Sequence, residues 1–380
     1  MDYKDILLLV NVTATDDFYP TVIQYAREHG WRLTIEDRMA PPKGWHGDGA
    51  IVQAMDDPAV ARYVRSLQRH GIPAVNLVNS KMSRRMPSCI IDVCTSCRLA
   101  ANHFRERGFR HVAYFSMEWL YGRALQFDGL AKAWDGFPVR KWVWAEAAVA
   151  KAVNDRAAMA KWLKTILFKA PKPIAVLCSN SYNAVTLMNV CLDIGMSVPD
   201  EVAIMSGLYD PAFCDCQSIP ISGILIDSRQ HAMKAATMLD EIIETGDTEP
   251  RYVMIEPHGI AVKQSTDVIA TENPYLRNAL RFIRENISRS FGAAEIAEYL
   301  DIPRIRLDRL FAVELGRSVG AEITRQRIAK AKRLLSGTDM TLAAIAAETG
   351  FCHASYLIST FKKSVGKTPH KYRRGQEMKN

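Results

Sequence analysis

The first 262 residues alternate between short apolar runs and amphipathic stretches. Runs at 6–10, 49–52 and 174–177 contain no charged position, which predicts strands buried on both faces. Between such runs, apolar residues recur at helical spacing, and several of these stretches stop at a glycine such as Gly30 or Gly71. Repeated alternation of strand and helix predicts parallel sheets with helices on both faces.

The alternation restarts near residue 122, which predicts two lobes. Strands are predicted at 6–10, 31–35, 49–52, 72–77, 89–92 and 112–115, and then near 139–142, 174–177, 195–204 and 222–226, before a long helix at 228–244. Two consecutive lobes of roughly 110 residues each fall within the usual range for compact units. A ligand cleft is expected between them, at the carboxyl ends of the strands.

The pattern near the C-terminus is helical and contains a sharp turn. Ile345 belongs to an apolar helix face, Gly350 is placed to end that helix, and Phe351 is placed to fill the angle that follows. The next helix turns Leu357 and Phe361 inward. This pattern is typical of a helix-turn-helix whose second helix enters the DNA major groove.

A similar unit precedes it, with a helix at 294–300, a turn at 301–302 and a second helix in which Leu307 and Phe311 face inward. A long helix at 323–335 is predicted to join the two units. The sequence therefore predicts three regions. Residues 1–266 form a two-lobed α/β domain, residues 267–274 form a polar linker, and residues 275–380 form an all-α domain with two helix-turn-helix units.

The charge is distributed unevenly along the chain. Residues 275–380 carry 20 Lys and Arg against 10 Asp and Glu, whereas the preceding residues carry 29 against 31. A basic module attached to a nearly neutral one is the pattern expected of a protein that binds nucleic acid through one region. Double-stranded DNA is therefore an expected partner.

Residues 345–373 resemble the signature of the AraC family of transcription regulators. The resemblance depends on Ile345-Ala346, Gly350-Phe351, Phe361-Lys362-Lys363, Gly366, Thr368-Pro369 and Tyr372-Arg373, all in register. It implies sequence-specific DNA binding, a homodimer and contact with RNA polymerase.

The α/β region resembles the effector domain of the LacI/GalR family, which is similar to periplasmic sugar-binding proteins. The resemblance depends on residues 195–204, on Asp92 and on Ser265-Thr266. The order of the two regions resembles the group of xylose-operon regulators, which implies control by a small effector, a sugar such as xylose. Gln126 stands where the family often has Arg, and Leu208 or Tyr209 replaces a family Asp. An effector-independent DNA-binding protein with a degenerate sensor domain therefore stays open.

Candidate DNA contacts lie on the two predicted recognition helices. An Arg side chain can donate two hydrogen bonds to O6 and N7 of guanine, so Arg304 and Arg306 are base-reading candidates, with phosphate contact as the alternative. The other candidates are polar or basic residues, for base edges or for phosphates: Arg309, His353, Ser355, Tyr356, Ser359, Lys363 and Arg373.

Candidate effector contacts lie where the resemblance places ligand-binding loops, at the ends of the strands. They combine amides and carboxylates, which bind hydroxyl groups, with aromatic rings, which stack on a sugar: Asn11, Phe18, Asp92, Trp119, Arg123, Asn180, Asn183, Asp210 and Asp227. Asp92 has two possible roles, because an Asp before a helix is also a good N-cap.

Other chemistry is poorly supported by the sequence. The chain has no P-loop, no G-x-S-x-G and no H-E-x-x-H, and an enzyme is not expected. Cys94 and Cys97 form one C-x-x-C, and Cys214 and Cys216 form one C-x-C, but neither pair has the partners of a zinc site nearby. No cofactor is expected. The apolar run at 6–10 is too short for a signal peptide or a membrane span, so the expected location is the cytoplasm.

Overall fold

The computed structural model describes residues 3–10, 17–36, 42, 44–54, 56, 58–118, 121–135, 137–147 and 155–377, with the backbone alone for residues 336, 337 and 374–377. The chain divides into two compact units, Met1–Ala270 and Thr271–Asn380. The first is α/β and the second is all-α, as the sequence predicts. Among the described residues, no helix is both long and apolar enough to cross a membrane.

The first lobe of the α/β unit is built on a parallel sheet. Its strands are β1 (Lys4–Leu9), β2 (Trp31–Glu36), β3 (Gly49–Val52), β4 (Ala74–Asn76), β5 (Ser88–Ile91) and β11 (Tyr252–Ile255), in the order β11-β5-β4-β3-β1-β2. Ile6 and Leu8 pack on helices α1 (Phe18–Glu28) and α8 (Ser228–Thr245), while Leu7 and Leu9 pack on α2 (Pro58–Arg69). Burial on both faces explains why β1 has no polar position in its centre.

The second lobe is a mixed sheet between two pairs of helices. Its strands are β6 (His111–Ser116), β7 (Arg140–Val143), β8 (Ile174–Cys178), β9 (Val202–Ser206), β10 (Ser222–Ile226) and β12 (Pro257–Ala261), in the order β12-β10-β9-β8-β6-β7. Helices α3 (Val93–Glu106) and α4 (Tyr121–Ala133) cover one face, and α5 (Arg156–Lys169) and α6 (Ser181–Asp193) cover the other. A short helix, α7 (Pro211–Cys214), follows β9.

The chain crosses between the lobes three times: after β5, after β10, and between β11 and β12. The predicted two lobes are confirmed, but they are not formed by two successive segments, because α8 and β11 return to the first lobe. The predicted parallel sheets flanked by helices are confirmed, and within the described residues the edge strand β12 departs from them by running antiparallel to β10. Only Glu256 separates β11 from β12. β12 contains His258 and Gly259 and has no continuous apolar run, whereas β11 is a run of four apolar residues that was not predicted as a strand.

The end of the α/β unit is fixed to the second lobe by hydroxyl groups. Ser265 accepts a hydrogen bond from Ser222 N at 2.9 Å and donates one to Ile204 O at 2.5 Å. The Ala270 N–H donates to Arg107 O at 2.7 Å. The chain therefore stays on this lobe as far as residue 270, within the segment predicted as linker.

The second unit contains seven helices among the described residues. They are α9 (Pro274–Glu285), α10 (Ala293–Tyr299), α11 (Arg304–Leu315), α12 (Val319–Gly337), α13 (Leu342–Glu348), α14 (Ala354–Val365) and α15 (Pro369–Glu377). Helix α12 is the predicted connecting helix. Its Lys330 ammonium donates to Ser288 Oγ at 2.9 Å and to Glu348 O at 2.6 Å, and so ties the segment after α9 to the end of α13.

Candidate functional sites

A cavity of about 350 Å³ lies between the lobes of the first unit. It is at the carboxyl ends of β3, β4, β5, β8, β9 and β10, the usual ligand position in folds of this kind. Its volume falls within the range of small-molecule pockets. The residues that line it combine amide, hydroxyl and charged groups with apolar surface: Phe18, Gln53, Asp56, Leu77, Val78, Asn79, Ile91, Val93, Ser96, Gly122, Arg123, Gln126, Ser179, Asn180, Gly207, Leu208, Ile226, Ser228 and His231.

Three of the predicted effector contacts line this cavity: Phe18, Arg123 and Asn180. Phe18 begins α1 in the first lobe, and the other two belong to the second lobe. Arg123 is partly buried, and its Nη1 lies 3.4 Å from Ser179 O. The cavity thus contains a cation, which is suited to a carboxylate, a phosphate or a hydroxyl oxygen of a ligand.

Asp92 and Asp227 instead cap the helices that follow two of the crossings. Asp92 Oδ1 accepts from Thr95 N at 3.0 Å, and Asp227 Oδ1 accepts from Gln230 N at 2.8 Å. Neither residue is among those that line the cavity. The structure supports the N-cap role that the sequence left open for Asp92, and the first turns of α3 and α8 reach the cavity through Ser96, Ser228 and His231.

The remaining effector candidates do not reach the cavity in the described part of the chain. Asn183 is 4% exposed, contacts Ser179 Oγ and lies behind the wall that Asn180 forms. Asp210 is 2% exposed and caps α7 by accepting from Ala212 N at 3.0 Å. Asn11 and Trp119 lie outside the described residues.

The two departures from the LacI/GalR pattern both bear on the cavity. Gln126 Nε2 donates to Ser179 O at 3.2 Å, and its Oε1 accepts from the Tyr114 hydroxyl at 2.9 Å. Burial raises the pKa of Tyr114 far above its usual value, so the phenol keeps its proton and remains a donor. Leu208 contributes apolar surface to the cavity, while Tyr209 donates to Asp215 at 2.5 Å. The polar pattern of this wall therefore differs from that of the family.

His231 lines the cavity and was not predicted from the sequence. Its Nε2 lies 2.8 Å from Cys89 O, and since a carbonyl only accepts, this nitrogen must carry the proton. Burial lowers the pKa of the imidazole, which favours the neutral form and leaves Nδ1 as an acceptor. The ring also meets Phe18 edge to face at 5.9 Å. The only sequence signal was its position one turn after the helix cap at Asp227.

Asp56 joins the two lobes beside the cavity and was also not predicted. Its Oδ1 accepts from Lys81 N at 3.1 Å in the first lobe, and its Oδ2 accepts from Tyr121 N at 2.8 Å in the second. The adjacent Gly122 lies against the first lobe, where a Cβ would come 2.5 Å from Asn79 O. These contacts hold the first turn of α4 against the first lobe.

The second unit contains two helix-turn-helix arrangements, α10–α11 and α13–α14. Each turn has one residue in the left-handed region, Asp301 at φ 51° and Gly350 at φ 70°, followed by a buried apolar residue, Ile302 or Phe351. The helices after the turns, α11 and α14, each bury one Leu and one Phe at 0% exposure: Leu307, Phe311, Leu357 and Phe361. The predicted pair of units is confirmed.

The predicted contacts on α11 are exposed but already engaged in part. Arg304 forms an ion pair with Asp308, with Nε to Oδ2 at 2.9 Å. The Arg306 guanidinium lies 4.5 Å from the centre of the Tyr275 ring, and Arg309 is exposed. On α14, Ser355, Tyr356, Ser359 and Lys363 are exposed, as is His353 just before the helix.

Arg373 donates to backbone carbonyls of its own unit, and a phosphate contact at this residue stays a prediction. It is partly buried, and its Nη2 donates to Met340 O at 2.6 Å while Nε donates to Leu335 O at 3.4 Å. These carbonyls follow or end α12, so the guanidinium braces α15 against the start of the second helix-turn-helix. The sequence pattern could not separate this role from DNA contact, because both place an Arg after the last recognition helix.

Two domain families match the chain. A periplasmic binding protein-like domain matches residues 101–266, and a helix-turn-helix domain matches residues 296–375. The xylose operon regulatory protein of Escherichia coli (strain K12) is 21% identical over 362 residues, which cover 92% of this chain and 90% of that protein. The protein of the same name from Haemophilus influenzae is 21% identical over 98% of both chains.

Solved structures show the same fold. The structure of a xylose-binding transcription activator, xylR, has a TM-score of 0.76 at 19% identity and covers 98% of both chains. The complex of the transcriptional regulator CelR with cellobiose has a TM-score of 0.53 at 18% identity, over 69% of this chain and 84% of that one. The first likeness extends over both units, and the second over part of the chain.

Proposed function

We propose that a small sugar controls this chain from the cleft between the lobes. The chain is a DNA-binding transcription regulator and not an enzyme, with a periplasmic-binding-protein-like domain ahead of an AraC-type helix-turn-helix region. The observation that carries the proposal is the cavity of about 350 Å³ at the carboxyl ends of the strands. That volume suits a monosaccharide better than a longer sugar. Xylose is the first candidate, because the relatives that match along nearly the whole chain are named for xylose.

The lining supports a polyhydroxyl ligand. Arg123, Asn180 and Asn79 offer donors, the neutral His231 offers an acceptor, and Phe18 offers an apolar face. A sugar presents hydroxyl groups on its edges and C–H groups on its faces, so both kinds of surface are used. We propose Phe18, Arg123 and Asn180 as ligand contacts, together with Asn11 and Trp119, and Asp92 and Asp227 as caps that hold the first turns of α3 and α8 at the cavity.

The DNA-binding step belongs to α11 and α14. The proposed contacts are Arg304, Arg306, Arg309, His353, Ser355, Tyr356, Ser359 and Lys363, all exposed on or just before these helices. We further propose a homodimer in the cytoplasm that contacts RNA polymerase, as the resemblance to AraC-type regulators implies. The polar cavity favours a sensing protein over one whose sensor is degenerate.

Thermal unfolding of the full chain with D-xylose, D-ribose, L-arabinose and D-glucose tests the sensing step. A ligand that binds only the folded state raises its stability, by about 2.7 kcal/mol at a concentration 100 times the dissociation constant. We expect one pentose to raise the midpoint in a concentration-dependent way. A panel in which no sugar shifts the midpoint, while the chain still binds DNA, would support the effector-independent alternative.

Selection from a pool of random duplexes tests the DNA step separately. We expect enrichment of a defined sequence by the full chain. Binding to it should weaken steeply with salt because counterions are released from the DNA, and about six phosphate contacts give a log–log slope near roughly −5. A selection that enriches nothing would contradict the DNA-binding role that we assign to α11 and α14.

A further inference from the structure

Helix α11 presents an isoleucine at the centre of its free face. Leu307 and Phe311 are fully buried, and at about 100° per residue the opposite side of the helix is occupied by Ile305 and Arg309. Ile305 is 80% exposed. Arg304 lies away from this face, about 60° around the helix from Leu307, and its guanidinium is held by Asp308 at 2.9 Å. The residue of α11 that faces the DNA groove, if this helix enters one, is therefore Ile305 rather than Arg304.

An internal repeat supports this placement. Leu307, Phe311 and Gly316 recur fifty positions later as Leu357, Phe361 and Gly366, with the two leucines and two phenylalanines fully buried and both glycines in the left-handed region. In this register, Ile305 corresponds to Ser355, and Arg309 corresponds to Ser359. Charge and polarity in the sequence led to Ser355 and Ser359 as DNA contacts, but the same criteria passed over Ile305.

A single exposed apolar residue is ordinary on a protein surface, so exposure alone does not indicate a site. Ile305, however, lies between arginines on the face that must approach the anionic duplex if α11 is a recognition helix. The apolar group that base pairs present in the major groove is the C5 methyl of thymine. An aliphatic side chain in the first turn of a recognition helix is placed to meet it, since residues near the start of that helix contact base edges.

We propose that Ile305 is a specificity-determining residue that recognises a thymine methyl group in the major groove. This inference rests on the proposed function of α11 as a recognition helix. Ile305 contributes through apolar contact, so it selects thymine over cytosine without a hydrogen bond. Arg306 and Arg309 beside it supply charge for the phosphates or for neighbouring guanines.

The test compares duplexes that differ by one methyl group. The sequence enriched by the full wild-type chain from a random pool is resynthesised with deoxyuridine in place of each thymine in turn, which removes only the C5 methyl. At one thymine position of the enriched sequence, we expect the wild type to bind about fourfold more weakly to deoxyuridine, the effect of losing contact with one buried methyl-sized group. The Ile305→Ala variant should bind both duplexes equally.

Val313→Ala is the matched control, because Val313 is also an aliphatic residue of α11, is 75% exposed, and lies two turns further from the helix start. It should keep the wild-type preference for thymine. Since Ile305 is 80% exposed, Ile305→Ala is expected to unfold like the wild type. An unchanged thymine preference in Ile305→Ala, or no thymine preference in the wild type, overturns the inference while DNA binding stands. Failure of the wild type to enrich any sequence instead overturns the proposed function itself.

Discussion

The carboxylate of Asp56 accepts a hydrogen bond from the backbone N–H of Tyr121 at 2.8 Å, across the boundary between the lobes. The other carboxylate oxygen accepts from Lys81 N at 3.1 Å within the first lobe. One side chain therefore fixes the first turn of α4, which carries Arg123 into the cavity, relative to the first lobe. A ligand that contacts both lobes binds more tightly when other contacts already hold the lobes together.

Replacing Asp56 by Ala should therefore weaken effector binding, because it removes the bond between the lobes together with a carboxylate that lines the cavity. A hydrogen bond to a charged group is worth about 1.5–3 kcal/mol, so we expect at least a tenfold higher dissociation constant for the sugar that stabilises the wild type. Calorimetric titration measures it. Hydrogen exchange should also accelerate at the Tyr121 amide, and this second measurement needs no ligand.

Asp48→Ala is the control for that prediction. Asp48 accepts from Asp5 N at 2.6 Å, so it also bonds a backbone N–H, but both residues belong to the first lobe. It should leave the dissociation constant unchanged. Equal losses of affinity in Asp48→Ala and Asp56→Ala would show that general destabilisation, rather than the bond between lobes, is responsible.

Arg123→Gln should reduce effector affinity while leaving the fold intact. The substitution removes the cation from the cavity wall and keeps a polar side chain of similar reach. Losing a charge-assisted hydrogen bond to a ligand oxygen should cost about 1.5–3 kcal/mol of binding. Thermal shift with the stabilising sugar measures the loss, and DNA binding without sugar should be unchanged.

Asp92→Asn provides the comparison for Arg123→Gln. Asp92 caps α3 and is not among the residues that line the cavity, and Asn caps a helix about as well as Asp does. The dose response to sugar should therefore stay close to that of the wild type. A tenfold shift in Asp92→Asn would return Asp92 to the ligand-binding set.

The sequence was sufficient for elements whose pattern is local. The apolar run of β1 and the Gly350-Phe351 turn each combine burial with backbone geometry, and the structure has both as predicted. The edge strands β11 and β12 were missed, although the edge strands β2 and β7 were predicted. β12 has no continuous apolar run, and β11 has an apolar run that was left unassigned. β12 pairs antiparallel with β10, and β11 returns to the first lobe to pair with β5. Both partner strands lie far away in the sequence.

The candidate site shows the same limit. The sequence predicts the helices at whose starts Phe18, Arg123 and Asn180 lie, and these three residues line the cavity. Asp56 and His231 reach it only because distant segments meet there, and nothing in their neighbours along the chain signals this. Conversely, an Asp at the end of a strand has the same sequence pattern whether it binds a ligand or caps the next helix, as Asp92 and Asp227 do.

A buried histidine should make stability depend on pH. His103 is 5% exposed, its Nε2 lies 2.8 Å from Thr266 Oγ1, and burial, with a smaller effect of the Arg107 charge, lowers its pKa to about 3. In the unfolded chain it titrates near 6.5, so the unfolded state takes up a proton that the folded state refuses. Stability is retained above about pH 6.5 and lost as the pH falls below it, by up to about 1.4 kcal/mol per pH unit.

Urea unfolding of the wild type and of His103→Gln between pH 7 and pH 5 measures this contribution. The neutral amide cannot take up the proton, so the free energy of unfolding of His103→Gln should fall less steeply with decreasing pH. Parallel slopes for the wild type and His103→Gln would contradict the prediction.

The last prediction concerns the turn of the second helix-turn-helix. Gly350 has φ 70°, and a Cβ on it would overlap the carbonyl oxygen of Ile287 and lie 3.0 Å from that of Arg289. Gly366 also has a positive φ, 77°, but a Cβ there meets nothing within 4 Å.

Both changes to Ala carry the left-handed strain of about 1–2 kcal/mol, and only Gly350→Ala adds a collision with backbone, for a total of about 2–5 kcal/mol. The free energy of unfolding should therefore fall more in Gly350→Ala than in Gly366→Ala, and equal losses would show that the segment before α10 yields easily. Since that segment also receives the hydrogen bond from Arg327 to Arg289 O at 2.8 Å, a shift there should loosen the first helix-turn-helix from α12 and weaken DNA binding along with stability.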